Sequence, residues 1–262
     1  MTNALLPTGF RDRLPPEADA SARLVRAVLD SVAAYGYERV QTPLAEFEAT
    51  LTGALGTSSR DLLRFVDPVS GETMAVRSDI TGQIGRIAKG RMGHHPRPLR
   101  LSYGGPVVKL RASQLRPERE MMQVGAELIG LETLPAVTEV VTVAIESLKA
   151  AGVRDLTLDL TLPNLIDTLF PGTDTEELKA RLDAKDAAAV PADLRVLISA
   201  AGPFAEAVAR LRAFDDQGVL AERLEALEAL VEALPADLRV TLDPTERHGF
   251  EYQSWFGFSL FS

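Results

Sequence analysis

Apolar residues at Leu24, Val25, Val28, Leu29 and Val32 recur at the spacing of one helix face, and Gly36 ends the run. Pro15 and Pro16 stand where a first helical turn tolerates a residue without an N–H. The spacing predicts an amphipathic helix between these prolines and Gly36. Tyr37 to Gln41 then reads as a short strand ended by Pro43, and a helical stretch follows from Glu46 to Leu55. Arg64 to Asp67 and Thr73 to Arg77 flank Pro68-Val69-Ser70-Gly71, which has proline at the second turn position and glycine at the fourth, a β-hairpin signal.

Asp79 is placed to cap a helix running through Ile80, Ile84, Ile87 and Ala88 to Gly90. Leu99 to Tyr103, Val107 to Arg111 and Arg119 to Ile129 read as strands, and their turn-length connections imply antiparallel pairing. A helix from Ala136 to Ala151 and a strand from Leu156 to Leu160 come next. From Pro163 to Leu234 the chain changes to alanine, leucine and charge, with prolines at 163, 171, 191, 203 and 235 punctuating several helices. Arg239 to Leu242 and Phe250 to Phe261 return to strand patterns. The pattern predicts an α+β protein: residues 1–161 form the first part of a core, 162–236 an inserted helical subdomain, and 237–262 a return to the core sheet.

Composition narrows the chemistry. With 262 residues, 46% of them hydrophobic and 25% charged, the chain has the balance of an ordinary globular protein. It contains no cysteine, which excludes a disulfide framework, a thiolate metal site and a cysteine nucleophile. The amino terminus has no basic region leading into an apolar stretch, and no segment approaches the ~20 apolar residues of a membrane span, so a cytoplasmic location is expected. No GxGxxG, Walker loop, HExxH, CxxC or GxSxG occurs, and neither a metal site nor a cofactor is expected.

The net charge of -9 weighs against a protein that tracks a long phosphate backbone. The charge is nevertheless uneven. Arg86, Lys89, Arg91, Arg97, Arg100, Lys109, Arg111, Arg116 and Arg119 face a single acid, Glu118, over the same window. Two readings stand: solvated strand edges, where such residues discourage edge pairing, or a local field that attracts an anionic ligand or partner.

Four segments, in order, resemble the histidyl-tRNA synthetase family of class II synthetases and its synthetase-like regulatory paralogues. Leu6-Pro7-Thr8-Gly9-Phe10-Arg11-Asp12-Arg13-Leu14-Pro15 resembles the family's opening segment, and Gly36-Tyr37-Glu38-Arg39-Val40-Gln41-Thr42-Pro43 resembles motif 1, which in that family builds a dimer interface. Ala75-Val76-Arg77-Ser78-Asp79-Ile80-Thr81-Gly82-Gln83 resembles the segment that presents an acid and a threonine to the bound amino acid, here Asp79 and Thr81. A charge-assisted carboxylate bond suits an α-amino group out of water, whereas the alternative for Asp79 is a helix cap alone.

Gly105-Pro106-Val107-Val108-Lys109-Leu110-Arg111, with Arg119 and Met121-Met122-Gln123-Val124-Gly125-Ala126-Glu127, resembles motif 2. Synthetases place there an arginine that grips ATP and the amino acid, followed by a glutamate; this chain has Lys109 and Arg111. A lysine is a flexible point charge where an arginine offers a planar fork, so oriented transition-state stabilisation is lost. Gln123 and Glu127 do match the family's amino-acid pocket, although strand alternation alone would put Gln123, Gly125 and Glu127 on one face, pocket or not. His248-Gly249-Phe250-Glu251-Tyr252-Gln253-Ser254 stands where synthetases have a histidine-specific signature opening with an arginine, and only Tyr252 of its tyrosine pair remains. Neutral imidazole at His248 does not replace a guanidinium. Nothing resembling motif 3 or an anticodon domain follows, so the chain reads as truncated before motif 3.

The resemblance implies a synthetase-like antiparallel sheet flanked by helices and a regulatory subunit without catalytic residues. That subunit would partner a short-form ATP phosphoribosyltransferase catalytic subunit in the first step of histidine biosynthesis, pair with itself through the motif 1 region, and relay feedback by histidine. It would hold a histidine-like ligand with Asp79, Thr81, Lys109, Arg111, Gln123, Glu127 and Tyr252. The alternatives are a divergent amino-acid-activating enzyme, against which Lys109, Arg111 and His248 argue, and a nucleic-acid binder using the basic window.

Overall fold

The computed structural model describes residues 6–55, 61–111, 117–247 and 255–262. These pack as two compact units, Met1–Gly152 and Val153–Ser262. Among the described residues no helix is long and apolar enough to cross a membrane.

The first unit opens with α1 (Glu17–Ala34), whose Leu29 and Val32 are buried as the apolar spacing requires. The strand expected after it shrinks to β1 (Glu38–Arg39), although Tyr37 is buried and the Val40 N–H still donates to Ser102 O at 2.9 Å. Next come β2 (Ala45–Phe47), α2 (Glu48–Leu55) and the expected hairpin of β3 (Leu63–Val66) with β4 (Thr73–Val76). These strands form an antiparallel sheet in the order β2-β4-β3. Sequence reading missed β2, because three residues that run straight into a helix are too short to show a period of two.

After α3 (Thr81–Arg86), the helix continues into a π-helical turn, Ile87–Arg91. The unit's centre is a ten-residue antiparallel pair, β5 (Leu99–Val108) and β6 (Glu120–Ile129), in register from Leu99↔Ile129 to Val108↔Glu120. α4 (Leu134–Ala150) follows, its first turn capped by the Thr133 side chain, which accepts from Ala136 N.

β5 corrects the expectation of two strands separated at Gly104-Gly105-Pro106. Pairing with β1 reaches only Leu101 and Ser102, so Pro106 lies where the strand is an edge on that side, a setting that tolerates proline. The two glycines mark close approaches rather than a break. A Cβ at Gly104 would stand 3.4 Å from Leu29 Cδ1 of α1, and one at Gly105 would stand 2.2 Å from the Arg77 guanidinium.

Alternation along this pair gives two faces. Leu99, Leu101, Tyr103 and Val107 pack with Ile80, Ile84 and Ala88 from α3 and the π turn. On the other face Ala126 and Leu128 meet a cluster of Val32, Tyr37 and Val143, from α1, the turn after it, and α4. Each fully buried aliphatic side chain contributes about 1.5–3 kcal/mol, so burial on both faces holds the pair rigid and fixes its register.

In the second unit β7 (Thr157–Thr161) pairs in parallel with β9 (Arg239–Asp243), while β10 (Gly257–Phe261) runs antiparallel to β7. Parallel neighbours cannot be joined by a tight turn. Residues 162–238 supply the crossover: α5 (Leu165–Leu169), α6 (Glu176–Asp183), a 3₁₀ turn (Ala192–Leu194), α7 (Arg195–Ser199), α8 (Phe204–Phe214) and α9 (Ala221–Glu232). Their leucines 182, 197, 211, 220, 224, 227 and 230 are buried. Within this helical stretch β8 (Gly202–Pro203) adds a short strand beside β9, giving the sheet order β10-β7-β9-β8.

Candidate functional site

Two local features bring polar side chains to one end of α3. The chain turns into the helix at Ser78-Asp79-Ile80, and alternation points Gln123 and Glu127 of β6 to the same side as Tyr103 of β5. Asp79 uses both carboxylate oxygens: Oδ1 accepts from Thr81 N at 2.6 Å, and Oδ2 accepts from Gln123 Nε2 at 3.3 Å. The first is the local bond expected of a helix-start aspartate; the second reaches across to the sheet. Gln123 completes the clamp by accepting from Ile80 N at 2.9 Å.

Thr81 and Glu127 are linked through a residue that sequence reading did not single out. The Tyr103 hydroxyl lies 3.0 Å from Thr81 Oγ1 and donates to Glu127 Oε1 at 3.1 Å. Tyr103 stands opposite Gly125 in the register, and its ring crosses the space a side chain there would fill. A Cβ on Gly125 would sit 2.4 Å from the Tyr103 oxygen. The absence of a side chain at Gly125 is therefore a condition for the network.

The electrostatics are one-sided. Burial pushes the Glu127 carboxyl above its ordinary pKa, opposed by the hydrogen bonds from Tyr103 and Thr81 and reinforced by the Asp79 charge. Burial, with the neighbouring Glu127 charge, also pushes the Tyr103 hydroxyl up. Among the described residues no basic side chain forms an ion pair with Asp79 or Glu127. Two carboxylates in a partly desolvated space without a cation have the chemistry to accept hydrogen bonds from an ammonium or an N–H-bearing ring.

Behind this group lies a second residue missed from sequence. Arg77 is 4% exposed, and its guanidinium donates to Pro106 O at 2.8 Å, Thr42 Oγ1 at 2.7 Å and Thr42 O at 3.1 Å. Burial lowers its pKa while the Glu46 charge raises it. Through these bonds Arg77 fastens the 42–43 segment to β5 just before the chain reaches Asp79. Its burial follows from the space at Gly105, which no pattern in the sequence reveals.

The remaining candidates fall elsewhere. Lys109 and Arg111 are exposed, just beyond β5 where the chain turns towards β6, and do not join the hydrogen-bonded group. Tyr252, with His248, lies outside the described residues, as does Arg116 of the basic window. Within that window Arg86 pairs with Glu46 at 2.5 Å, and Arg100 grips both oxygens of Glu139 at 2.6 and 2.7 Å. These bonds hold the Glu139 carboxyl below its ordinary range. Among the described residues no group of three or more His, Asp or Glu side chains is arranged to hold a metal ion.

Comparison with known proteins places the chain in a family. The family model described as histidyl-tRNA synthetase matches residues 9–262. An ATP phosphoribosyltransferase regulatory subunit from Paramagnetospirillum magneticum is 43% identical over 99% of this chain and 73% of its own length. One from Rhodospirillum centenum is 44% identical over 99% of this chain and 71% of its own length. Among solved structures, an ATP phosphoribosyltransferase regulatory subunit/histidyl-tRNA synthetase from Bacillus halodurans C superimposes with a TM-score of 0.87 at 24% identity, covering 100% of this chain and 73% of that one. That likeness bears out the α+β, class II synthetase-like fold. The chain belongs to the histidyl-tRNA synthetase family and, within it, to the ATP phosphoribosyltransferase regulatory subunits.

Proposed function

We propose that this chain serves histidine biosynthesis as a subunit without catalytic residues, activating a short-form ATP phosphoribosyltransferase catalytic subunit and sensing histidine at the network that joins the start of α3 to β6. The names of its relatives support the regulatory role. The observation that carries the ligand is the pairing of Asp79 and Glu127 in one network with no cation. Histidine is a small molecule with both an ammonium and an imidazole, one for each carboxylate. Gln123, Thr81 and Tyr103 fix the distance between them, and Lys109 and Arg111 place positive charge on the connection between the same two strands for the ligand's carboxylate.

Lys109 and Arg111 also support the reading of a silent active site, since neither reproduces the oriented fork that adenylate formation needs. Self-association through the region of α1 and β1 completes the proposal. Sensing requires that histidine bind two arrangements of the assembly unequally, because equal affinity shifts no population.

Reconstitution tests this. The chain is mixed with a short-form catalytic subunit, and phosphoribosyl transfer is followed with and without histidine, alongside an assay for histidine-dependent pyrophosphate release from ATP by the chain alone. The proposal expects activation, inhibition of the mixture by histidine, and no adenylate chemistry. Pyrophosphate release by the chain alone would identify an amino-acid-activating enzyme instead.

A further inference from the structure

Between Ile80 and Pro117 the sequence contains no aspartate or glutamate, although the chain as a whole carries a net charge of -9. Folding neutralises part of this stretch from elsewhere: Glu46 takes Arg86, and Glu139 takes Arg100. It leaves a second part without acids. Lys89, Arg91, His94, His95 and Arg97 are all exposed and none makes an ion pair among the described residues. They follow one another around the end of the π-helical turn and into the loop that leads to β5.

The backbone beneath these side chains is closely built. A Cβ on Gly93 would stand 2.6 Å from Lys89 O, so the chain folds back tightly against the helix end, and Met92 N donates to Ile87 O at 2.9 Å. The stem of Arg97 lies against Gly130 at the end of β6, where a Cβ would meet Arg97 Cδ at 2.8 Å, and its Nη2 donates to Ala88 O at 3.0 Å. The two histidine rings stand 4.7 Å apart. Lys89 and Arg91 gain a little from the helix C-terminus, but that accounts for two of the five groups and not for the ordered loop that presents the rest. A π-helical segment in a helix recurs at functional sites.

We propose that this surface, formed by Lys89, Arg91, His94, His95 and Arg97, docks a carboxylate-rich patch of the phosphoribosyltransferase catalytic subunit. The inference rests on the regulatory reading above and adds where the partner binds. A compact acidic protein surface fits better than a nucleic acid. The cations occupy a short stretch, and a phosphate backbone extending past it would run over a chain whose overall charge repels it. Charge at such a surface acts mainly on encounter rate and salt dependence.

The test is binding of the full chain to the catalytic subunit, measured at low and at physiological salt. Lys89→Glu/Arg91→Glu is compared with Arg154→Glu/Arg239→Glu, a pair of exposed arginines that changes the net charge equally. The docking proposal expects binding about tenfold weaker for the first pair at low salt, a difference that shrinks as salt rises, and less than about threefold for the second. Histidine binding is unchanged in both. Equal losses in the two pairs, or no loss in the first, overturn the proposal while leaving the regulatory reading intact. Failure of the unaltered chain to bind the catalytic subunit overturns both. A reversal that removes binding to tRNA but not to the catalytic subunit replaces the docking proposal with a nucleic-acid surface.

Discussion

The first unit and the second each hold a polar network of partly buried side chains, and the two networks differ in whether their carboxylates meet a cation. In the second, Lys179 is 7% exposed, and its ammonium lies between Asp167 at 2.5 Å and Glu176 at 2.7 Å. Lys185 reaches Asp243 and Thr245, both at 2.6 Å, and the Asp183 carboxylate accepts from Arg247 N at 3.0 Å. Each cation there is matched within the chain, and the result is a closed network that ties α6 to the segment after β9. In the first unit Asp79 and Glu127 share Thr81, Tyr103 and Gln123 but no cation. The second network completes its own charge pairs, whereas the first leaves Asp79 and Glu127 without a cation, at a cost in desolvation, and the proposed histidine site rests on that difference.

The comparison is broken most strongly at Glu127. Glu127→Ala is expected to weaken histidine binding by about a hundredfold, equivalent to about 2.7 kcal/mol, while thermal stability stays level or rises, because the removed group has no cation partner. Calorimetric titration and a melting curve on one preparation check both. Gly125→Ala comes next. Its Cβ forces Tyr103 off Glu127 and Thr81, which costs about 1–3 kcal/mol of stability and about tenfold in binding. Tyr103→Phe removes the hydroxyl but keeps the ring, with a loss of about 1 kcal/mol in binding.

On the closed side, Lys185→Met is expected to lower stability by about 1 kcal/mol and leave histidine binding unchanged. If it weakens binding as much as Tyr103→Phe does, the two networks are not functionally distinct.

The smallest effect is in pH. A carboxyl whose folded pKa is raised binds more protons folded than unfolded, so its burial penalty is absent below the ordinary glutamate range and builds as pH rises through the folded value. The melting temperature of Glu127→Gln minus that of the unaltered, ligand-free chain should therefore be more positive on the alkaline side of that window than on the acid side. Glu139 has the opposite sign: its lowered pKa stabilises the fold above the ordinary range, and that contribution fades on acidification. Glu139→Gln removes that second slope.

How much of this was legible in the sequence depends on the kind of information each residue carries. Asp79, Thr81, Gln123 and Glu127 sit in local motifs whose order resembles a known family, and the structure brings all four together. Tyr103 and Gly125 were invisible, because their meaning lies in a cross-strand register and in a missing side chain. The same holds for Arg77, whose burial depends on Gly105, and for β2, whose three residues carry no periodicity. Gly104-Gly105-Pro106 misled for a related reason: strand breakers and close-approach residues are the same amino acids, and only the α1 packing distinguishes them. The basic window divided once Glu46 and Glu139, distant in sequence, took Arg86 and Arg100.

The most direct test of the central claim is isothermal titration of the chain with histidine, repeated with Glu127→Ala and with ATP in place of histidine. The account predicts one saturable histidine site per chain, lost in the variant, and no heat with ATP. Histidine binding that persists undiminished in Glu127→Ala would contradict it, because the uncompensated carboxylate pair would then not be the receptor.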